Sequence, residues 1–309
     1  MKKIIVAGSS NIDFVLRVAE MPQKGETIRT RSFDKIPGGK GANQACAVGK
    51  LGGDCVFLSA VGEDGLGSIV TDSLAAAGAD LSRVLRDQET PTGMAVIAVN
   101  DEGENSIMIV PGANGLCTED YFDRNADCLA PGDILLAQLE TPVEAIWKLI
   151  EKAKAAGCTT ILNPAPAPES IPDAVLAAVD YITPNETELA AITGLPTGTV
   201  EEIDAAARSL CARGAGRVLV TIGPRGALLC DESGSRVYPT FDAKRVDTTA
   251  AGDTFNAGLA VSLAEGASLE EAIRLANAAA AISITRKGAQ TSIPSRAEVD
   301  QLLQSAQEG

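Results

Sequence analysis

The stretch 247-DTTAAGDTFNAG-258 carries the strongest indication of how this chain folds. Asp247 and Asp253 enclose five small residues, and a helical pattern begins directly after them. Small residues at the amino end of a helix expose backbone N–H groups, which attract an anion such as a phosphate together with the helix dipole. An acid in that same turn would repel the anion. The presence of the acid is explained if Asp253 takes a proton from a hydroxyl that attacks a bound phosphoryl group. The alternative is that Asp253 only stabilises the start of the helix.

Outward from this stretch, short apolar runs alternate with helical patterns. The runs are 3–8, 55–62, 133–140, 159–164, 180–185 and 217–223. The helical patterns are 43–51, 65–77, 142–156, 186–193, 201–213, 252–265, 268–285 and 296–306. Buried strands that alternate with helices predict a mostly parallel sheet with helices on both faces, which is a three-layer α/β/α fold.

Two regions break this alternation. Residues 12–36 alternate apolar and polar residues around a turn at Pro22–Gly25, and residues 92–110 do so around Asp101–Gly103, a strong hairpin signal. We expect residues 1–309 to form a single α/β domain, with a small β-sheet subdomain built from about 12–36 and 92–110. It would serve as a lid; the alternative is a pair of hairpins without a function of their own.

The composition excludes several classes of protein. The chain has 309 residues, a net charge of −15 and no histidine. The negative charge argues against nucleic acid and anionic membranes as partners. The missing histidine excludes Ser-His-Asp and Cys-His catalysis, so a general base must be Asp, Glu, Lys or Tyr.

Localisation follows from weaker signals. The seven cysteines form no Cys-x-x-Cys pair, which is typical of reduced thiols in a cytosolic protein. The amino-terminal apolar run is too short for a signal peptide, and no run is long enough to span a membrane. We therefore expect a cytoplasmic protein.

Two amino-terminal stretches are candidates for a ligand site. In 8-GSSNID-13, Asn11 and Asp13 lie on the same side of an extended segment and could bind a polyol together, or they could only close a turn. In 37-PGGKGANQA-45, the glycines would let the backbone approach a ligand closely, or they could only form a tight loop before a helix that is expected to start at Ala42 or Asn43. The order of residues is not that of a Walker A loop.

Two further stretches are candidates for nucleotide contacts. In 183-TPNETE-188, Asn185 and Glu188 share one face of a first helical turn, where they could hold a hydrated Mg²⁺ or simply cap the helix; taken alone, the cap is favoured. The turn 221-TIGPRGA-227 follows a strand, where sheet ligands gather, but it could equally be a hairpin turn.

Taken together, these stretches resemble the ribokinase family of sugar kinases over the whole chain and in the same order. GGKGANQA and DTTAAGDTFNAG match the two signatures of that family; NPAPA (163–167), TPNETE and TRKGAQ (285–290) also match. The resemblance implies the ribokinase fold with its β-sheet lid, often a homodimer contact, and transfer of the γ-phosphoryl group of ATP to the O5 hydroxyl of ribose. The alternatives are a kinase for 2-deoxyribose or another furanose, and a sensor without activity.

The resemblance also assigns roles to residues of this chain. Asp253 matches the catalytic base, and the N–H groups of Ala250, Ala251, Gly252 and Asp253 match the anion hole. The positions that match sugar contacts are Asn11, Asp13, Gly39, Lys40, Gly41, Asn43, Glu140 and Asp253. Those that match the nucleotide side are Asn185, Thr221, Gly223, Gly226, Gly252 and Asn277, with Glu188 orienting Mg²⁺ through water.

A monovalent cation, usually K⁺, is expected beside the anion hole. Several of the matching positions would contribute a backbone carbonyl. They are Asp247, Thr249, Ser283, Arg286, Gly288 and Ser292. Asn277 departs from the family, since some members have a histidine there near the adenine, and this puts nucleotide affinity or preference in doubt.

Overall fold

A computed structural model describes residues 2–308 of the chain. Its strands are β1 (Lys3–Ala7), β2 (Asn11–Arg17), β3 (Ser32–Gly38), β4 (Asp54–Leu58), β5 (Ala60–Gly62), β6 (Leu85–Asp87), β7 (Gly93–Val99), β8 (Asn105–Val110), β9 (Ile134–Ala137), β10 (Thr159–Leu162), β11 (Tyr181–Ile182), β12 (Val218–Thr221), β13 (Ala227–Asp231) and β14 (Gly234–Tyr238). Its helices are α1 (Lys40–Lys50), α2 (Gly65–Ala76), α3 (Glu119–Arg124), α4 (Val143–Ala155), α5 (Asp173–Ala178), α6 (Glu186–Thr193), α7 (Val200–Ala212), α8 (Ala251–Ala264), α9 (Leu269–Ser283) and α10 (Arg296–Glu308). Among these helices none is both long and apolar enough to cross a membrane.

The large sheet has the strand order β14-β13-β12-β11-β10-β9-β1-β4. Neighbours from β4 to β12 are parallel, and β13 and β14 add an antiparallel edge. The carboxyl ends of the parallel strands therefore meet at one edge of the sheet, where ligands of such folds bind.

Both faces of the sheet are covered, which is why its strands are apolar throughout. In β1, Ile5 and Ala7 pack with one helical layer, whereas Ile4 and Val6 pack with the other. Alternate residues of a strand point to opposite faces, so both sets must be apolar. Helices α3 to α7 form one layer, and α1, α2, α8, α9 and α10 form the other. The predicted three-layer fold is confirmed.

The small sheet has the order β3-β2-β7-β8. Each expected region contributes one antiparallel pair, and β2 and β7 join the two pairs in parallel. The first pair is not a tight hairpin around Pro22–Gly25, because residues 18–31 connect its strands. On β8, every residue from Asn105 to Val110 is exposed.

Local differences from the expected elements are small. Helix α1 starts at Lys40 rather than at Ala42 or Asn43, because Gly39 with φ 87° turns the chain directly into the helix. The Gly223–Arg225 turn is a hairpin connection, since β12 and β13 pair across it. The short helices α3 and α5 and the strand β6 were not expected, and the predicted run 55–62 forms two strands, β4 and β5, of which β5 pairs with β6.

Candidate active site

The amino end of α8 presents uncovered N–H groups, as the sequence predicts. Ala250 precedes the helix with φ 59°, the only positive φ of a non-glycine residue in the part described. The N–H groups of Ala250, Gly252 and Asp253 have no hydrogen-bond acceptor within residues 2–308. That of Ala251 differs from the expectation, because it donates to the carbonyl of Thr248 at 3.2 Å. A Cβ on Gly252 would meet no atom within 4 Å, so the space above these groups can receive a phosphate.

Asp253 lies in this first turn with its side chain buried. Its Oδ2 accepts a hydrogen bond from Asn43 Nδ2 and its Oδ1 accepts one from Gln44 Nε2, both at 3.0 Å. Burial raises the pKa of Asp253, while Lys40 and the two amides oppose that rise. The carboxylate therefore depends on its neighbours to stay ionised, as a general base must.

Lys40 stands between several carboxylates at this end of α1. Burial alone would lower its pKa, but Asp253, Glu140 and Glu188 raise it above its ordinary value. Its backbone N–H donates to Glu140 Oε2 at 3.0 Å, and Ser9 Oγ donates to the same oxygen at 2.5 Å. The charged ammonium can therefore attract a phosphoryl group toward Asp253.

Asn11 and Asp13 lie on β2 with one residue between them, so both point to the same face of the small sheet. Asn114 Nδ2 donates to Asn11 Oδ1 at 2.7 Å, which leaves the Asn11 amino group for a ligand. Burial, together with Glu140 and Asp253, raises the pKa of Asp13 to about 6. The buried Asn43 Oδ1 also lacks a partner within residues 2–308. These groups suit the hydroxyls of a small polyol.

Two glycines of the PGGKGANQA stretch are required because the backbone there packs too closely against its neighbours to leave room for a side chain. A Cβ on Gly39 would lie 2.9 Å from the backbone nitrogen of Asn11, and one on Gly41 would lie 2.5 Å from that of Ser9. Such distances are too short for any side chain. Both glycines thus let α1 approach the end of β1, and this places Lys40 and Asn43 beside Asp253.

Two cavities meet at the start of α8. The smaller, of about 180 Å³, contains Lys40, Glu188 and Asp253; the larger, of about 640 Å³, contains Gly223, Gly226 and Asn277. Both are lined by Asn185, Thr221, Thr248, Ala251 and Gly252. A ligand in the larger cleft can therefore extend over the uncovered N–H groups toward Asp253.

Asn185 and Glu188 form the cap of α6 and also line the smaller cavity. Asn185 Oδ1 accepts from the Glu188 N–H at 2.8 Å, and Glu188 Oε2 accepts from the Asn185 N–H at 2.9 Å. Glu188 Oε1 accepts no hydrogen bond within residues 2–308 and is left for a hydrated cation. Burial raises the pKa of Glu188. The two alternatives left open by the sequence, cap and cation contact, are therefore compatible.

Asn277 has a structural task at the larger cleft. Its Nδ2 donates to the carbonyls of Tyr238 and Pro239 at 3.2 Å each. These residues lead into Thr240–Arg245, most of which lines the cleft. Asn277 thus holds a wall of the cleft in place, beyond being part of its lining.

The six positions that are expected to hold a monovalent cation lie in two segments of the chain. These are the loop 246–250 before α8 and the segment 283–295, which runs from the end of α9 to the start of α10. Asp247 Oδ2 accepts from the Gly288 N–H at 3.0 Å, and Asp247 Oδ1 accepts from the Thr249 N–H and hydroxyl. The Ser283 and Ser292 hydroxyls bond to nearby carbonyls, and the Arg286 guanidinium pairs with Glu298.

The atoms at these loops that remain free to coordinate a cation are backbone carbonyl oxygens. No backbone N–H within residues 2–308 donates to the carbonyls of Thr249, Arg286, Gly288 or Ser292. Free carbonyls beside one carboxylate fit a hard monovalent cation. By contrast, no cluster of three His, Cys, Asp or Glu side chains suited to a metal occurs in the described chain, so a divalent cation would depend on phosphates and water.

Several site residues were not singled out from the sequence. Gln44 contacts Asp253, and Asn163, Thr183, Thr248 and Asn256 line the smaller cavity. All five lie within the motifs quoted in the sequence analysis, and this position was the only sequence feature that could have indicated a role in the site. The wall at 240–245 carries no signal, because nothing local shows that it folds over the cleft.

A buried carboxylate beside uncovered N–H groups, at the junction of two cavities of an α/β/α fold, is the arrangement of an α/β phosphotransferase. Comparison with known proteins then gives the family. The chain matches the model described as "pfkB family carbohydrate kinase" over residues 1–296, and it belongs to that family.

Two curated relatives and one solved structure are similar to the chain over nearly their full length. Ribokinase of Haemophilus influenzae is 39% identical over 305 residues, covering 99% of both chains, and deoxyribokinase of Salmonella typhi is 36% identical over 97% of this chain and 98% of its own. The structure of Arabidopsis thaliana ribokinase complexed with ribose and ATP has a TM-score of 0.93 at 37% identity, covering 98% of both chains.

Proposed function

We propose that this carbohydrate kinase transfers the γ-phosphoryl group of ATP to the O5 hydroxyl of ribose, forming ribose 5-phosphate and ADP. The observation that carries the proposal is the position of Asp253. Its carboxylate lies between the polyol-binding groups of β2 and α1 and the uncovered N–H groups of α8. The likeness to ribokinases, one of them solved with ribose and ATP, supports ribose as the sugar.

In this mechanism, the sugar is held by side chains of the first half of the chain. Asn11, Asp13, Asn43 and Glu140 bind its hydroxyls, and Gly39 and Gly41 allow that approach. Asp253 takes the O5 proton, and this transfer can be late because phosphoryl transfer depends mainly on positioning and charge stabilisation. Lys40 and the N–H groups of α8 stabilise the negative charge that is transferred.

ATP would occupy the larger cleft. Its adenosine lies between the Gly223–Gly226 turn and the wall held by Asn277, and its phosphates pass Asn185 and Thr221 to reach Gly252. When bound, Mg²⁺ would neutralise phosphate charge, and Glu188 is the residue placed to orient it through water. K⁺ would lie behind the anion hole, held by Asp247 and by carbonyls among Thr249, Ser283, Arg286, Gly288 and Ser292.

The small sheet would act as the lid of a single domain that includes the whole chain. Excluding water prevents loss of the phosphoryl group by hydrolysis. By register, Ile107 and Ile109 share the face that carries Asp13, and they are 52% and 60% exposed. A second copy that covers this face would form a homodimer and close the sugar side. We place the protein in the cytoplasm.

The test is a coupled assay of ADP release with ribose, in potassium and in sodium salts. Ribose-dependent ADP release supports the proposal. Binding of ribose and ATP without ADP release would instead support a sensor. A second candidate, a deoxyribose kinase, is favoured by the 36% identity to the Salmonella typhi deoxyribokinase. A panel of furanose sugars separates the two, since turnover of another sugar without turnover of ribose contradicts the first.

A further inference from the structure

A chain of buried polar side chains connects Asp253 to neighbouring elements, and three of its members, Asn163, Thr183 and Asn256, also line the smaller cavity. It begins with Gln44, whose side chain is fully buried and is not among the residues that line either cavity in the part described. Gln44 Nε2 donates to Asp253 Oδ1 at 3.0 Å and to Asn163 Oδ1 at 3.1 Å. Gln138 Nε2 donates to Gln44 Oε1 at 2.5 Å. Each polar atom of Gln44 therefore has a defined partner.

The backbone carbonyl of Thr183 determines, through Asn163, which end of the Gln44 amide faces Asp253. Asn163 Nδ2 donates to the carbonyl of Thr183 at 3.2 Å, and a carbonyl can only accept. Asn163 must therefore turn its oxygen toward Gln44, and Gln44 must present its amino group. The same amino group then faces Asp253. An ionised carboxylate, which only accepts, is the partner that this arrangement fits.

The chain continues back to α8. Thr183 Oγ1 donates to Asn256 Oδ1 at 2.6 Å, and Asn256 Nδ2 donates to the carbonyl of Gly252 at 2.9 Å. Again the last acceptor is a backbone carbonyl, so the Asn256 amide has only one orientation. The hydrogen bonds thus connect Asp253, through Gln44, to the backbone of the adjacent anion-hole residue.

Asn43 differs from Gln44 although both donate to Asp253. The Asn43 amino group donates to Asp253 Oδ2, but the Asn43 oxygen is buried without a partner within residues 2–308. A sugar hydroxyl could satisfy it. Asn43 therefore has a free oxygen for the substrate as well as its bond to Asp253, whereas the polar atoms of Gln44 all bond to Asp253, Asn163 and Gln138.

We propose that Gln44 is a positioning residue, which holds the Asp253 carboxylate as an ionised acceptor in one orientation. This rests on the proposed function of Asp253 as the base. Both polar atoms of Gln44 are already bonded to other side chains, so Gln44 acts on the sugar only through Asp253, and its loss should reduce kcat and leave the KM for the sugar nearly unchanged. Burial, and to a smaller extent Glu140, raises the pKa of Asp253, while Lys40, Gln44 and Asn43 oppose this rise. Loss of the Gln44 amide should therefore also move the acidic limb of the pH profile upward.

The experiment compares Gln44→Met and Gln44→Glu with the wild type in pH profiles of kcat and KM. Gln44→Met should move the acidic limb up by about 1 pH unit and reduce kcat at pH 7 about tenfold. Gln44→Glu should move it further, because two adjacent carboxyl groups share a proton. Gln44→Glu also keeps an oxygen that can accept the hydrogen bond from Gln138, so this variant provides the test if Gln44→Met does not fold. An unmoved acidic limb in a folded variant overturns the proposal.

A matched control is Thr160→Val. Thr160 is also buried and donates to the carbonyl of Ala178 at 2.6 Å, but it lies at the start of β10, at the opposite edge of the sheet. This variant should lose stability without a change in its pH profile. If Thr160→Val moved the acidic limb as far as the Gln44 variants do, a loss of stability alone would explain the shift, and the proposal would be overturned.

A second measurement does not depend on the reaction. A double-mutant cycle of Gln44→Met and Asp253→Asn in urea unfolding should show coupling at pH 8 that decreases at pH 5, where Asp253 is more protonated. Equal coupling at both pH values would overturn the role of Gln44. If instead the wild type has no kinase activity but the coupling is present, the proposed function fails, whereas the stabilisation of the ionised Asp253 carboxylate by Gln44 stands.

Discussion

At the residue scale, Asp253 is the position on which the proposed reaction depends. Replacing it with asparagine keeps the shape of the side chain but removes the group that accepts a proton. We expect Asp253→Asn to reduce kcat by about 100-fold to 10,000-fold, the range for a general base. ATP binding, measured by calorimetry, should remain close to that of the wild type. Turnover near the wild-type rate would remove Asp253 from this role.

Asp13 should reduce stability at neutral pH. Its pKa rises from 3.8 to about 6 on folding, so the native protein binds more protons than the unfolded chain between these values. The free energy of unfolding therefore falls as the pH rises through this window and stays lower above it. We expect Asp13→Asn to be more stable than the wild type by about 2 kcal/mol at pH 7.5, and to lose that advantage near pH 4.

Urea unfolding at both pH values measures this difference. The control is Asp34→Asn on the adjacent strand β3, where the side chain is exposed. It should have a small effect that is equal at the two pH values. A stabilisation by Asp13→Asn that does not depend on pH would contradict the explanation.

The residues of the site could be predicted in part from the sequence. Asp253 and the small residues before it were found because one helix start brings them together locally. Gln44 and Asn256 were missed, since a buried amide reveals its role only when its partners from other strands are known. Asn163 was quoted within a motif, but its contact with Gln44 depends on β10 ending beside α1.

At the element scale, the cap of α6 offers a test that separates stability from function. Glutamine can replace glutamate in a capping box, so Glu188→Gln should keep the helix start and change the free energy of unfolding by less than about 0.5 kcal/mol. It should nevertheless reduce activity, most strongly at low Mg²⁺ concentration, because the charge toward the cavity is lost. Titration of Mg²⁺ in the ADP assay measures this.

The control for this variant is Glu202→Gln. Glu202 closes an equivalent capping box with Thr199 at the start of α7, and it does not line either cavity. Its substitution should leave the Mg²⁺ titration unchanged. Identical titrations for Glu188→Gln and the wild type would restrict Glu188 to its role as a cap.

The loops around Asp247 predict a response to monovalent cations. Replacing sodium with potassium should increase the rate several-fold, and Asp247→Asn should weaken that response by removing the one carboxylate of the loops. Asp231→Asn is a matched control, because Asp231 Oδ1 accepts from the Ser233 N–H and hydroxyl just as Asp247 Oδ1 accepts from Thr249. Equal rates in both salts would contradict the cation site.

Elements were predicted best where the signal is local. The helix at 186–193 was found with its bounds because Asn185 and Glu188 form its cap. The start of α1 was placed too late, since the conformation of Gly39 depends on close contact with β1. Strands β5 and β6 were missed as a pair because they are short and lie apart in the sequence.

At the scale of the whole molecule, the exposed apolar face of β8 predicts association of two copies. A charge at its centre should prevent this, because it could not be buried without a partner. We expect Ile109→Glu to convert a dimer to a monomer in sedimentation experiments. Val237→Glu, at an exposed position on β14, is the control and should not change the mass. A monomeric wild type would contradict the homodimer.

The two sides of the site come from different halves of the chain. Apart from Lys40 and Asp253, which act on both substrates, the proposed sugar contacts, from Asn11 to Glu140, precede residue 141, and the nucleotide contacts follow it. A gene can therefore acquire mutations that change the accepted sugar without altering the residues that bind ATP. Directed evolution restricted to the first half should yield new sugar specificities with an unchanged phosphate donor, so the order of the chain makes this kinase an adaptable starting point.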